Sequence, residues 1–167
     1  TDSNGQIKIT NVTGTIVVTE EKAPDGYVIG SNDKSQTVVV NPQDTQTLRF
    51  YNDPLCSLTI KKVDSITGKP VPNTEFSVKD AGGNLIGKYT TGTDGTVTVT
   101  GIVPGTAVVV TEVKVPTGYV LNTTPQTIVV TNGGNSVVSG STGSTGSGGN
   151  NLDFENDPTT QLTIEKY

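Results

Sequence analysis

The segment FYNDPLCSLTIKK, Phe50 to Lys62, returns near the end of the chain as FENDPTTQLTIEK, Phe154 to Lys166, 104 residues further on. A second pair, IVVTEEKAPDGYV (Ile16 to Val28) and VVVTEVKVPTGYV (Val108 to Val120), is identical at nine of thirteen positions at a spacing of 92. Repetition at this period points to a tandem array of small domains, each closing its own core within about 100 residues. The spacings differ by 12 residues. This places an insertion in the second copy, SGSTGSTGSGGNN at 139–151, whose composition reads as a flexible loop. The phase assigns 1–53 to the C-terminal part of one repeat and 54–57 to a linker. It assigns 58–157 to a complete repeat, and 158–167 to a linker and the first strand of a third, as in a segment of a longer array.

Within a repeat, short Val/Thr/Ile runs alternate with Gly, Pro, Asn and Asp turns, and no apolar period of a helix is present. Strands are expected at 58–63, 75–80, 84–90, 95–100, 106–113, 126–131 and 151–156. Turn signals DSITGKP, DAGGN and TDGT fall between them. Seven short strands in about 100 residues predict an all-β, two-sheet sandwich of immunoglobulin-like size.

Composition narrows the chemistry. The chain is acidic, with net charge −5, ten lysines and one arginine, Arg49. Nucleic acid is therefore not an expected partner, and no apolar run is long enough to span a membrane. The chain has no His, Trp or Met, which excludes imidazole triads and His-ligated zinc or haem. Neither a cofactor nor a metal is implied. The outward-facing Asp153, Glu155 and Asp157 read as a solvated acidic edge, and the sequons at Asn11 and Asn122 carry little weight in a Thr-rich chain. The lone Cys56 cannot form an intrachain disulfide and reads as a small, partly buried residue at a domain junction.

Alternation places three polar residues on inner faces. Leu58, Ile60 and Lys62 share parity, as do Val108, Val110 and Glu112, and Leu152, Phe154 and Asn156. The partial copies agree: Ile16, Val18 and Glu20; Leu48, Phe50 and Asn52; Leu162, Ile164 and Lys166. An inward Lys, Glu and Asn are costly apart, so they are expected to meet. They could form a buried ion pair with an Asn neighbour. Alternatively, the Lys62 amine could attack the Asn156 amide carbon and release ammonia, since burial makes an amine neutral and a carboxylic acid a proton shuttle. Parity alone leaves both readings open.

The stretch LTIKKVDSITGKPVPNTEFSVKDAGGNLIG, Leu58 to Gly87, resembles the opening of the Cna-B or SpaA-type, prealbumin-like domains of Gram-positive pilins and surface adhesins. Lys62, Asp64, Thr67, Gly68, Pro70, Thr74 and Phe76 fill the pattern positions. The segment around Glu112 resembles that family's E-box, with Val115 where the pattern has alanine, and LDFENDP resembles its closing strand. The resemblance implies an intramolecular isopeptide bond from Lys62 to Asn156 with Glu112 as its catalyst. It also implies Glu20 as the equivalent in the partial repeat, with Asn52 and Lys166 available to residues outside the chain.

The expected function is a structural repeat of an extracellular, cell-wall-attached stalk, adhesin or pilus-like fibre. Its partners would be neighbouring repeats or strand-donating neighbouring chains. The alternative is an adhesin domain binding host matrix protein or glycan; with only five Tyr and three Phe, most at E-box or core positions, the spacer is favoured. A turnover enzyme is not expected, because the reactive constellation would consume itself in one event.

Overall fold

The computed structural model describes residues 1–32, 34–133, 138–139, 149–160 and 162–166, with the backbone pairing alone considered at 138–139. The expected loop at 139–151 therefore falls, over 140–148, outside the described residues. Every regular element described is a β-strand. The chain divides into two compact units, Thr1–Asp53 and Pro54–Tyr167.

The first unit is built from β1 (Gly14–Thr19), β2 (Tyr27–Ile29), β3 (Ser35–Val40) and β4 (Asn52–Pro54). β1 and β3 form an antiparallel ladder in which Ile16 faces Val38 and Val18 faces Gln36, and β2 pairs with β4. Ile16, Val18, Leu48 and Phe50 are only half-buried. All the buried hydrophobic side chains among the described residues lie between Cys56 and Phe154.

The second unit contains β5 (Cys56–Asp64), β6 (Glu75–Asp80), β7 (Leu85–Thr90), β8 (Thr96–Ile102), β9 (Ala107–Lys114), β10 (Gln126–Val129), β11 (Val138–Ser139) and β12 (Asn151–Asn156). They form a five-stranded sheet in the order β11-β10-β9-β6-β7 and a three-stranded sheet β12-β5-β8. The two-residue β11, pairing with β10, adds an eighth strand to the seven expected. Of the residues assigned by composition to the loop, Asn151 opens β12, and Asn150 lies just before it. Asn150 donates to the carbonyls of Ser57 and Thr131 and accepts the Thr131 N–H. A Gly/Ser-rich stretch thus ends where an amide side chain can satisfy backbone groups of β5 and of the segment just after β10.

Alternation makes the core. Leu58 and Ile60 of β5, Val99 of β8 and Leu152 and Phe154 of β12 meet Phe76, Val78, Val108, Val110 and Ile128 of the other sheet. The rings of Phe76 and Phe154 lie 4.8 Å apart, tilted at 52°. Each such buried side chain contributes about 1.5–3 kcal/mol through removal from water. The expected turns close on aspartates. Asp64 accepts the N–H groups of Ile66 and Thr67, Asp80 that of Asn84, and Asp94 that of Thr96.

One pairing described in the second unit departs from the antiparallel rule. β12 runs parallel to β5, with Phe154 opposite Lys62 and Asn156 opposite Asp64. The two core-facing rows therefore end side by side. Gly95 holds the far side of β5: its carbonyl accepts the Lys62 N–H at 2.8 Å, and its φ of 72° is in the left-handed region. A Cβ at Gly95 would stand 2.5 Å from the Lys62 carbonyl oxygen and 2.9 Å from Pro70 Cβ. Gly95→Ala is accordingly expected to destabilise the second unit by about 1–3 kcal/mol, read as a lower urea midpoint at unchanged slope. An unchanged midpoint would show that β5 can shift away at no cost.

Candidate functional site

The three inward polar residues of the second unit meet. Lys62, Glu112 and Asn156 are 0%, 0% and 2% exposed. Each reaches this point because a β-strand turns every second residue inward and these end their rows: Leu58-Ile60-Lys62, Val108-Val110-Glu112 and Leu152-Phe154-Asn156. Lys61 points outward and is exposed. The walls are apolar: Phe76 is opposite Glu112 in the ladder and Phe154 is opposite Lys62.

Lys62 Nζ donates to Asn156 Oδ1 and lies 3.3 Å from Glu112 Oε2. Asn156 Nδ2 donates to Glu112 Oε1 at 2.8 Å. The carboxyl group thus bridges two nitrogens, one oxygen toward the amine and the other toward the amide. Burial pushes the Lys62 amine below the ordinary lysine range, with the Glu112 charge and its hydrogen bond pulling the other way. In this arrangement the buried amine stands against the Asn156 amide, and the carboxyl contacts both nitrogens. A proton taken from the amine can pass through the carboxyl to the amide nitrogen.

Further contacts, absent from the sequence reading, hold the site in place. The backbone N–H of Asn122, beyond the E-box turn, donates to Glu112 Oε1 at 3.0 Å and fixes its rotamer. The Tyr119 hydroxyl donates to Asp64 Oδ2 at 3.0 Å, tying the E-box to the turn after β5. Val120 N–H bonds the Asp157 carbonyl, Thr159 N–H that of Gly118, and Ser65 N–H that of Asn156. Asp64 and Tyr119 were visible as pattern positions, but their pairing needs the fold to bring together residues 55 apart.

The first unit holds two members of the same set. Asn52 Nδ2 donates to Glu20 Oε1 at 2.8 Å, while Glu20 Oε2 and Asn52 Oδ1 are buried with no hydrogen-bond partner. Lys166 is not brought to either constellation in a strand. Residues 162–166 form none, and Leu162 and Ile164 are 86% and 83% exposed, since an apolar strand without a ladder partner has nothing to cover it. Cys56 is a packed thiol: it donates to Asn132 Oδ1 at 2.9 Å, and burial raises its pKa. Among the described residues no group of acidic or sulfur side chains is arranged to hold a metal.

A family model described as SpaA, a prealbumin-like fold domain, matches residues 1–54 and 56–143. No curated protein matches the chain. The group B streptococcus pilus 2b backbone protein is 26% identical with a TM-score of 0.50, over 85% of this chain and 53% of its own. The C-terminal fragment of the pilus adhesin SpaC from Lactobacillus rhamnosus GG is similar in fold, with 20% identity, a TM-score of 0.53, and coverage of 83% and 60%. The Bacillus anthracis TIE protein, 23% identical with a TM-score of 0.48, is covered over 25% of its length by 87% of this chain. The chain therefore spans less than two thirds of the length of each of these chains.

The turn at Asp64 sets a pH dependence. Its carboxyl is held below the usual carboxylate range, first by the Thr67 N–H, against the opposing effect of burial, with help from the Ile66 N–H and the Tyr119 hydroxyl. A depressed folded-state pKa gives stability that is complete above about pH 4, the ordinary aspartate range, and is lost as pH falls through the lower folded value. Asp64→Asn is therefore expected to make the acid loss of stability shallower between about pH 4 and 2, measured by denaturant midpoints across pH. An unaltered acid limb would contradict this role.

Proposed function

Since the chain belongs to the SpaA-type prealbumin-like domain family, we propose that it is a structural segment of a Gram-positive cell-surface stalk or pilus-like fibre. In this reading it is stiffened by a self-formed isopeptide bond between Lys62 and Asn156. The observation that carries the reading is the position of Glu112, with one oxygen at the attacking nitrogen and the other at the departing one.

The step balances without a co-reactant. The lone pair of neutral Nζ attacks Asn156 Cγ, and a C–N bond forms. Glu112 relays a proton from Nζ to Nδ2, the original C–N bond breaks, and ammonia leaves. No electron is gained or lost, and Glu112 ends as it began. The dry walls keep water from competing for the amide carbon. Because the product is the domain itself, the chemistry happens once.

The bond would close a loop across 94 residues. In the chain-entropy treatment used for disulfides, such a closure is worth about 4–5 kcal/mol. Its mechanical consequence is larger. β5 and β12 are hydrogen-bonded neighbours in parallel, so tension between the start of one and the end of the other shears their ladder. A covalent link between them would carry that load past the sandwich. This suits a fibre outside the cell, where the link needs no oxidant to form and resists reductants. The matching segments at 50–62 and 154–166 support reading 1–53 as the later part of one repeat, 58–157 as a complete one and 158–167 as the entry to a third.

Intact mass spectrometry of the folded chain is expected to show a deficit of one ammonia. Lys62→Ala and Glu112→Ala are each expected to restore the full mass. A full mass in folded wild-type protein would sink the proposal.

A further inference from the structure

An asparagine followed by glycine is open to attack by the chain itself, because the glycine amide nitrogen approaches the side chain with no Cβ in the way. The chain has two such pairs, Asn4-Gly5 and Asn132-Gly133. The fold treats them differently. The Gly5 N–H is donated to the Asp2 carbonyl at 3.0 Å, in a turn that holds Gly5 at a φ of 72°. Gly133, in the turn beyond β10, has no such bond among the described residues, and the space where a Cβ would stand is open. Asn132 is exposed, and its Oδ1 accepts the Cys56 thiol at 2.9 Å. A donor on a carbonyl oxygen stabilises the charge which that oxygen takes on when its carbon is attacked. Burial raises the thiol pKa, so the proton stays available for this bond. Cys56, Asn132 and Gly133 line one cleft of about 530 Å³, with ample room for water.

We propose that Asn132 is a self-modifying site: the Gly133 nitrogen displaces the Asn132 side-chain amide while the Cys56 thiol steadies the oxygen, and water opens the resulting ring to aspartate and isoaspartate. This is independent of the chemistry read for Lys62. The step balances with water as the co-reactant. The Gly133 amide gives its proton to a solvent base, and its nitrogen forms a bond to Asn132 Cγ. The Cγ–Nδ2 bond breaks, and Nδ2 takes a solvent proton and leaves as ammonia. Water then adds to either carbonyl of the succinimide ring and breaks its bond to the ring nitrogen. No electron is gained or lost.

The change is one-way and alters the surface beside the start of β5. A carboxylate replaces an amide, which adds a negative charge to an already acidic chain and gives the Cys56 thiol a stronger acceptor. In the isoaspartate form the backbone runs through the former side chain, so a methylene is inserted between residues 132 and 133. Asn150 holds both the N–H and the carbonyl of Thr131, so the lengthening begins just beyond a residue tied to the sandwich. The ring intermediate lacks one ammonia, the same deficit expected of a Lys62–Asn156 bond. Hydroxylamine separates the two, since it cleaves the chain at the ring and leaves an amide cross-link intact.

The test is peptide mapping by fragmentation mass spectrometry of the whole chain, aged in mildly alkaline buffer and sampled over time. Aspartate and isoaspartate are expected to accumulate at residue 132 while Asn4 stays largely intact. Once the chain is unfolded in urea, the two sites are expected to convert alike. Gly133→Ala, for which the Cβ has open space, and Cys56→Ala, which removes a weak donor, should each slow conversion at residue 132 by about tenfold. An Asn132 that stays intact in the folded chain would overturn the inference. So would an Asn4 that converts there as fast as Asn132, or a difference between the two sites that persists in urea. Conversion at an undiminished rate in Gly133→Ala would refute the attack by the Gly133 nitrogen, and the same result in Cys56→Ala would refute the part given to the thiol.

Discussion

A lysine amine with no access to water is a constraint that a small β-sandwich must answer with geometry. Lys62 is 0% exposed inside an apolar wall, and its amine is tolerable there only because Glu112 and Asn156 meet it. Much of the second unit is arranged around that meeting. β12 pairs parallel to β5, so that the two rows end together. The E-box turn folds back so that the Asn122 N–H steadies Glu112 and the Tyr119 hydroxyl reaches Asp64. Gly95 lets the backbone approach Lys62 where any Cβ would collide.

Period-two alternation made most of the site legible beforehand. Lys62, Glu112 and Asn156 each end an inward row, and charge at such positions must be compensated, so their convergence could be expected from parity and cost. The strand positions were readable for the same reason, with ends differing by one or two residues; β5, for example, spans Cys56–Asp64 against an expected 58–63. What could not be read depends on which strands become neighbours. Parity does not say that β12 joins β5 in parallel, that β11 adds an edge to β10, or that Tyr119 lies over Asp64. These follow from the closing of the two sheets, a property of the whole fold.

The two units hold the same Glu–Asn hydrogen bond in different surroundings. Where β5 is present, the inner rows are covered, Asn156 Oδ1 accepts from the Lys62 amine, and Glu112 Oε2 lies 3.3 Å from that amine without a hydrogen bond of its own. In the first unit the rows are half-buried, and the corresponding oxygens are without a hydrogen-bond partner. In the reading proposed above, the lysine-bearing strand would both seal the core and deliver the nucleophile. Coupling these tasks would give the proposed reaction a checkpoint, with the amine reaching the amide only once the strand is docked and water excluded.

The central claim is that the Lys62 amine and the Asn156 side chain are joined by a covalent bond, beyond the hydrogen bond that brings them together. Digestion of the denatured, reduced chain followed by fragmentation mass spectrometry tests this at the atoms concerned. The account predicts a branched peptide in which Lys62 Nζ is acylated by the Asn156 side chain, with Lys62 protected from lysine-directed cleavage. Recovery of two separate linear peptides, with Lys62 and Asn156 both unmodified, from protein that had been fully folded would contradict it.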